Sequence, residues 1–542
     1  MDSKEILKWC IGKGILLDSE TLNLLNESGD IESAKIILES IKNYTQTRII
    51  TKRLFQIHKG KTEEFFLTLP KENQKKLEKF KIKLGLEIEI SKEVSIENSS
   101  LQKVQLVNEL GKMVLEESSV KVLSETPSFK KKVVVGDFVK HFRNRFMKLR
   151  NILQERAELD QLVSINKLPS SRKKVSIIGM ISNKRITKNN NILLDLEDFT
   201  GRTRVLISGN KEEVFENAEN LALDSVVGFN GFGDREIIFV NEIILPESFL
   251  SERKKSSVDE NVLFIGDLHY GSKYFFEKDF LKFIDFLSEE NVSNEDSRKV
   301  KYLFIGGDLV AGVGAYPGQE KDLKIKSLED QFQGLAELLS RIRKDIKIII
   351  SPGNHDGVRL MEPQPALDEK YAWPIYNLKN VILIGNPSLV NIGANLEKGF
   401  EGFDILNYHG FSFPYYANNI PSLIKSTINS PEKIMTYLLQ KRHLAPAFSS
   451  VQTLPSEEDN LVIDKVPDIF VAGHIHKSAL IYYNNVLVVS NSGWEDATEY
   501  QKRFGNTPDF CKASMFNLKT RAVKILDFES ERTKEITKGV EA

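Results

Sequence analysis

Five times between Val262 and His476 a short apolar run ends abruptly in a polar cluster. Val262–Ile265 leads into Asp267-Leu268-His269, and Tyr302–Gly307 into Asp308. Ile346–Ile350 precedes Gly353-Asn354-His355-Asp356, Ile405–Tyr408 precedes His409, and Ile469–Ala472 precedes Gly473-His474-Ile475-His476. Runs of this length, rich in β-branched and aromatic residues, read as buried strands. Each polar cluster then lies at a strand's C-terminal end, where open α/β sheets bind their ligands.

Upstream the pattern changes. Lys173 to Pro246 alternates short strands with turn residues: Val175–Ile181, Ile192–Asp198, Gly201–Ile207, Ser225–Phe229 and Glu236–Val240, with a helix from Glu212. About five strands and one helix in this span suit a five-stranded OB barrel. Such a barrel either binds single strands through aromatic platforms or serves as a scaffold. Few aromatics here look exposed, which counts against the platform. Asp137 to Leu159 has helical periodicity through Phe138, Phe142, Phe146, Leu149 and Leu153. Its basic residues, Lys140, Arg143, Arg145, Lys148 and Arg150, either touch DNA or form a solvated face, the second being the usual role of such a stripe.

Residues 1–90 read as a helical module. Ile6, Leu7, Cys10 and Ile11 share a face, and Asp30 can N-cap a helix carrying Ile31, Ala34, Ile37 and Ile41. Residues 91–132, rich in Ser, Glu and Lys, read as a mobile linker. The expected organisation is therefore a helical module (1–90), a linker (91–132), a helix with a barrel (133–250), an α/β domain (258–528) and a tail (529–542).

The chain has 8 histidines, and five of them fall in these clusters. A lone histidine after a strand is ordinarily a satisfied structural residue; the ordered set is what points to chemistry. Carboxylate, imidazole and amide oxygen together suit a borderline divalent ion such as manganese, with magnesium, iron or zinc as alternatives. A two-metal centre needs one carboxylate to bridge ions about 3.5–4 Å apart, and Asp308, alone after its strand, fits. Asp267, His269 and one of His474 and His476 would hold one ion; Asn354, His409 and the other would hold the second. His355 is left as a general acid or phosphate clamp, with Asp356 placed to fix its tautomer.

The set D-x-H, G-D, G-N-H-D, H, G-H-x-H resembles the calcineurin-like metallophosphoesterase superfamily. Longer stretches narrow the resemblance: Gly312-Val313-Gly314-Ala315-Tyr316-Pro317-Gly318-Gln319-Glu320, Pro363-Gln364-Pro365-Ala366, Arg442-His443-Leu444-Ala445-Pro446, Asn491-Ser492-Gly493-Trp494 and Thr498-Glu499-Tyr500-Gln501. From about Asp137 to Pro508 these are similar to the small subunits of archaeal family-D DNA polymerases. That resemblance implies a multidomain α+β protein, an OB-fold barrel packed on a phosphoesterase sandwich. It further implies a metal-dependent, proofreading 3′→5′ exonuclease working beside a large polymerase subunit on primer–template DNA, with the sliding clamp as a further candidate partner.

Composition agrees with a subunit. The net charge of −1 is not that of a solitary duplex binder. Two distant cysteines, Cys10 and Cys511, argue for a reducing compartment. No apolar run reaches about 18 residues, so a cytoplasmic, nucleoid-associated protein without a membrane span is expected. Two other classes share features with this reading: a non-catalytic structural subunit, in which ligands would have decayed, and a phosphatase or small-molecule phosphodiesterase, which leaves the barrel unexplained.

Overall fold

The computed structural model describes residues 132–530 apart from 292, 396–398, 427 and 499–506, together with 119–124, 126 and scattered positions between 8 and 50. The chain divides into two compact units, Met1–Val107 and Asn108–Ala542. In the first, Cys10 and Ile41 are buried as the helical pattern expects, beside Ile15, Leu38 and Ile50. The other apolar positions singled out there lie outside the described residues. Leu16–Leu17 pairs in parallel with Ile49–Ile50, so this unit is not purely helical; adjacent β-branched residues favour the extended backbone.

The second unit begins, among the described residues, with β1 (Val120–Val122), which pairs antiparallel with Val390–Ile392. This stretch lies inside the expected linker, and it is ordered because a sheet edge supplies its hydrogen-bond partners. Helix α1 (Val135–Gln154) follows, burying Phe146, Leu149 and Leu153. Its basic face is solvated at Lys140, Arg143 and Arg150 but not throughout. Arg145 is fully buried on Asp459, and Lys140 and Lys148 pair with Glu457 and Asp464.

A closed five-stranded barrel comes next: β2 (Lys173–Ile186), β3 (Ile192–Glu197), β4 (Arg202–Ile207), β5 (Val226–Gly233) and β6 (Ile237–Ile244). Helix α2 (Glu212–Glu219) joins β4 to β5. The strands close in the order β2-β3-β4-β6-β5, with β4 and β6 parallel. Inward residues such as Ile177, Leu194, Val205, Phe229 and Ile238 form its core.

Two six-stranded sheets then stack. The first contains β7 (Asn261–Ile265), β8 (Val300–Gly306), β9 (Lys347–Ser351) and β10 (Val381–Leu383), parallel to one another, with two further, antiparallel strands beyond β7. The second contains β11 (Ser388–Ile392), β12 (Phe403–Tyr408), β13 (Ile469–Ala472), β14 (Ala479–Tyr483) and β15 (Val486–Ser490), plus β1 at its edge. Phe264, Phe304 and Ile349 of the first sheet meet Ile405, Val471 and Val489 of the second in a shared core. Strands buried on both faces need continuous apolar runs, which is why they were visible in the sequence. Among the described residues no helix is long and apolar enough to cross a membrane.

Candidate metal centre

Strands β7, β8, β9, β12 and β13 deliver their C-terminal ends to one edge of the sandwich, and the polar clusters converge there. Asp267, His269, Asp308, His409 and His476 are all buried. Four of them, with His474, hold a left-handed backbone: Asp267 (φ 52°), His269 (51°), Asp308 (49°), His474 (69°) and His476 (58°). Side chains other than glycine seldom occupy that region, and each such residue costs on the order of 1–3 kcal/mol. Five of the fourteen such residues among those described gather in these turns, which marks a site that positions its side chains.

The side-chain atoms approach closely. The Nε2 atoms of His269 and His476 lie 3.1 Å apart, and His476 Nε2 lies 3.5 Å from Asp267 Oδ1. His409 Nε2 is 3.0 Å from Asn354 Oδ1 and 3.3 Å from Asp308 Oδ2. Asp308 Oδ2 is also 3.8 Å from His269 Nε2, so this carboxylate stands between the two clusters. The groupings able to hold a cation are Asp267 with His269 and His476, Asp308 with His409 and His474, and His269 with Asp308 and His355. The sequence left open which terminal histidine joins which cluster; geometry puts His476 with Asp267 and His474 with His409.

Backbone fixes these groups. The His474 N–H donates to both Asp267 oxygens, at 2.9 and 3.0 Å, and His409 Nδ1 lies 3.1 Å from the Gly306 carbonyl. That contact turns Nε2 of His409 inward, the usual outer support of a ligating imidazole. Gly353 and Gly473 are required by crowding: a Cβ at the first would strike Asp308 Oδ1, and at the second Asp267 Oδ2.

The electrostatics follow from burial and charge. Burial holds His269 well below the usual imidazole range, aided by His355. Burial and His409 bring His474 down to about 3. His409 goes the other way: burial opposes its charge, but Asp308 outweighs burial and raises it to about 10. Burial likewise opposes Asp308's ionisation, yet His409 and His355 bring it well below the carboxylate range. A carboxylate that holds an imidazolium in a buried pocket offers a place for a cation to replace the proton.

A calcineurin-like phosphoesterase family model matches residues 260–478, which span this arrangement. The DNA polymerase II small subunit of Methanothermobacter thermautotrophicus is 37% identical over 398 residues, 73% of this chain and 80% of that protein. This chain belongs to the DNA polymerase II small-subunit family. The Pyrococcus furiosus small subunit is 38% identical over 73% of this chain, and the match spans 64% of that longer relative. The Thermoplasma acidophilum small subunit is 34% identical over 73% of this chain and 78% of its own length.

One assignment changes with the geometry. Asp356 does not fix the His355 tautomer. Its oxygens accept from the Val310 N–H at 3.1 Å and the Gly353 N–H at 2.7 Å, so it staples two loops beneath the site. The Ala311 carbonyl, 2.7 Å from His355 Nδ1, takes that place. Adjacent side chains in a tight turn diverge, which sequence proximity conceals. A buried carboxyl group also appears that the sequence did not flag: Glu495 Oε1 lies 3.8 Å from His269 Nε2. Burial raises Glu495 to about 7, against the pull of His476. Its only signal was its place after Gly493-Trp494.

Proposed function

We propose that this small subunit is the proofreading 3′→5′ exonuclease of an archaeal replicative DNA polymerase, acting with two divalent ions. The observation that carries the reading is the completeness of the ligand set: every position bears a competent donor, and the two clusters share Asp308. A subunit retained only as scaffold has no need of that set, or of the backbone strain that aims it.

In this reading Asp267, His269 and His476 would hold one ion and Asn354, His409 and His474 the other, with Asp308 within reach of both clusters. Imidazole, amide and carboxylate together fit manganese, with magnesium, iron and zinc remaining chemically admissible. Bound there, the ions activate water and neutralise the scissile phosphate. His355, its Nδ1 occupied by the Ala311 carbonyl, presents Nε2 to the phosphate and to the leaving 3′-oxygen. Water adds to phosphorus, the P–O3′ bond breaks, and His355 delivers the proton to O3′ as a nucleoside 5′-monophosphate departs.

The partners are a large catalytic subunit and primer–template DNA, with the sliding clamp as a further candidate, in the cytoplasm near the nucleoid. We read the barrel as an OB fold, supported by its closure order and the parallel β4–β6 pair, and assign it a scaffolding role. The test is a 5′-labelled primer–template carrying a terminal mismatch, incubated with the chain and manganese. Stepwise shortening from the 3′ end is expected. Hydrolysis of a small aryl phosphate without DNA shortening would make the chain a phosphatase, and activity on neither would make it a structural subunit.

A further inference from the structure

Packing explains one end of the barrel strands and leaves the other end bare. Near helix α1, Ile178, Val226 and Ile244 on β2, β5 and β6 are buried with Leu149, Leu153 and Val462, which is the contact a scaffold needs. At the other ends of these strands the outward side chains are exposed. Phe232 of β5 and Phe239 of β6 stand directly opposite each other and are 51% and 37% exposed. The sequence leads one to expect few exposed aromatics in the barrel, but alternation along the strands sets these two outward. Phe232 lies between the buried Gly231 and Gly233, and Phe239 between the buried Ile238 and Val240.

Cations flank the pair on both sides. Lys174 of β2 is in register with Phe232, and Leu206 of β4 with Phe239, so one row of side chains crosses four strands. The Arg172 guanidinium lies over the Phe239 ring, 4.8 Å from its centroid. On the β4 side Arg204 stands exposed, in register with Ile237. The nearby carboxylates do not close this surface. Asp160 pairs with Lys174 at 2.7 Å and Asp234 with Arg172 at 3.9 Å, but the lysine and arginine side chains are 43% and 65% exposed. Ion pairs this open are weak, so a phosphate can compete with them. Asp195, in register with Arg204, accepts instead from Asn183 Nδ2 at 3.0 Å.

We propose that this face of the barrel is a stacking platform for single-stranded DNA, with bases on Phe232 and Phe239 and phosphates on Arg172, Lys174 and Arg204. The platform adds a ligand to the barrel's scaffolding role and depends neither on the metal centre nor on the exonuclease reading. Two rings set between cations match a chain that carries flat faces and negative charges in alternation. Every base offers a π face, so the platform is indifferent to sequence. It is not indifferent to pairing, because the bases of a duplex are already stacked on their neighbours and present only their edges. Exposed rings also serve protein docking, but cations on both sides of this pair favour a polyanion.

The test uses the full chain in a chelating buffer with a labelled circular strand of deoxythymidylate, which has no 3′ end for the metal centre to engage. Fluorescence anisotropy should show the circle bound at least about tenfold more tightly than a duplex of the same length. Phe232→Leu and Phe239→Leu keep apolar bulk and remove the ring; each should weaken binding of the circle at least about fivefold, with melting temperature unchanged. Phe239→Trp, which keeps a ring, should bind at least as tightly as wild type. Arg204→Ala should flatten the dependence of log Kd on log salt by about 0.7. No binding of the circle, equal binding of duplex, or leucine variants that bind like wild type overturns the proposal, and so does a tryptophan variant weakened as much as the leucine one. Leucine variants that bind DNA normally but lose the large subunit assign the face to protein docking and overturn it too. Shortening of a primer–template with manganese, or its absence, judges the exonuclease reading separately.

Discussion

Arg145 Nε and Asp459 Oδ2 meet 2.6 Å apart in the interior, 314 residues distant in sequence, and neither side chain is exposed. His443 and His141 reach the same oxygen at 3.0 and 3.2 Å, and Arg145 Nη1 donates to the Pro446 carbonyl at 2.8 Å. This cluster fastens helix α1 to the phosphoesterase sandwich. Removing one partner of a buried ion pair leaves a charge without compensation, at about 3–5 kcal/mol. Arg145→Ala should lower stability in chemical denaturation by that amount, whereas Lys140→Ala, at an exposed pair, should cost far less.

The same cluster gives a pH dependence with a definite sign. Burial and Arg145 lower His443 to about 4, while the unfolded residue titrates near 6.5. A depressed folded value means stability is present above about pH 6.5 and lost as pH falls towards 4. Burial also opposes ionisation of Asp459, but Arg145 and His443 bring it well below the carboxylate range, so its own contribution fails only under stronger acid. Between pH 7 and 5 the chain should lose roughly 2 kcal/mol through His443. His443→Gln should flatten that part of the profile, and an unchanged slope in the variant would assign the dependence elsewhere.

Such a cluster shows what sequence conveys and what it hides. The sandwich strands were legible because burial on both faces demands continuous apolar runs, as in Tyr302–Ile305 and Ile469–Ala472. The metal-ligand candidates were legible because only chemistry places Asp, Asn and His after five such runs. Arg145 was not, since its burial depends on Asp459 and only the fold brings the two together. Val120–Val122 was hidden for a similar reason: its charged surroundings read as linker, and the partner strand that orders it lies at Val390–Ile392. Glu495 carried no periodic signal at all.

Metal binding should be acid-sensitive and dinuclear. Asp308 holds the His409 proton up to about 10 and Asp267 raises His476, in each case against burial. Ions that bind there must displace those protons, so affinity should rise with pH and proton release should accompany binding. Calorimetry in buffers of different ionisation heat measures that release. Asp308→Ala should lose both ions while keeping its fold, because the site crowns the strands and does not fill the core. One ion, or none, in active wild-type protein would end the bridging assignment.

Where the chain can be shortened follows from β1. A chain starting at Asn108, where the second unit begins, keeps Val120–Val122 on the edge of its sheet. One starting at Asp137 uncovers Val390–Ile392 and removes the Val134 N–H that donates to Asp137 at the head of helix α1. Bare edges invite association with other chains. The Asn108 form should co-purify with the large subunit and stay monodisperse by light scattering, while the Asp137 form should aggregate. Failure of the Asn108 form to bind would place docking in the first unit.

His355 separates catalysis from metal holding. It groups with His269 and Asp308 closely enough to reach a cation, yet its backbone N–H donates to Asp308 Oδ1 at 2.8 Å and its Nδ1 is taken by the Ala311 carbonyl. Asn354, its neighbour, already offers an oxygen to the second cluster. Proton transfer to the leaving oxygen is worth roughly 10²–10⁴-fold. His355→Ala should therefore lose cleavage on that scale, with metal content, melting temperature and partner binding near wild type. Asn354→Ala and His409→Ala should instead lose metal together with rate. A His355→Ala protein that drops an ion would make this histidine a ligand, and one cleaving within about threefold of wild type would leave the proton with another group.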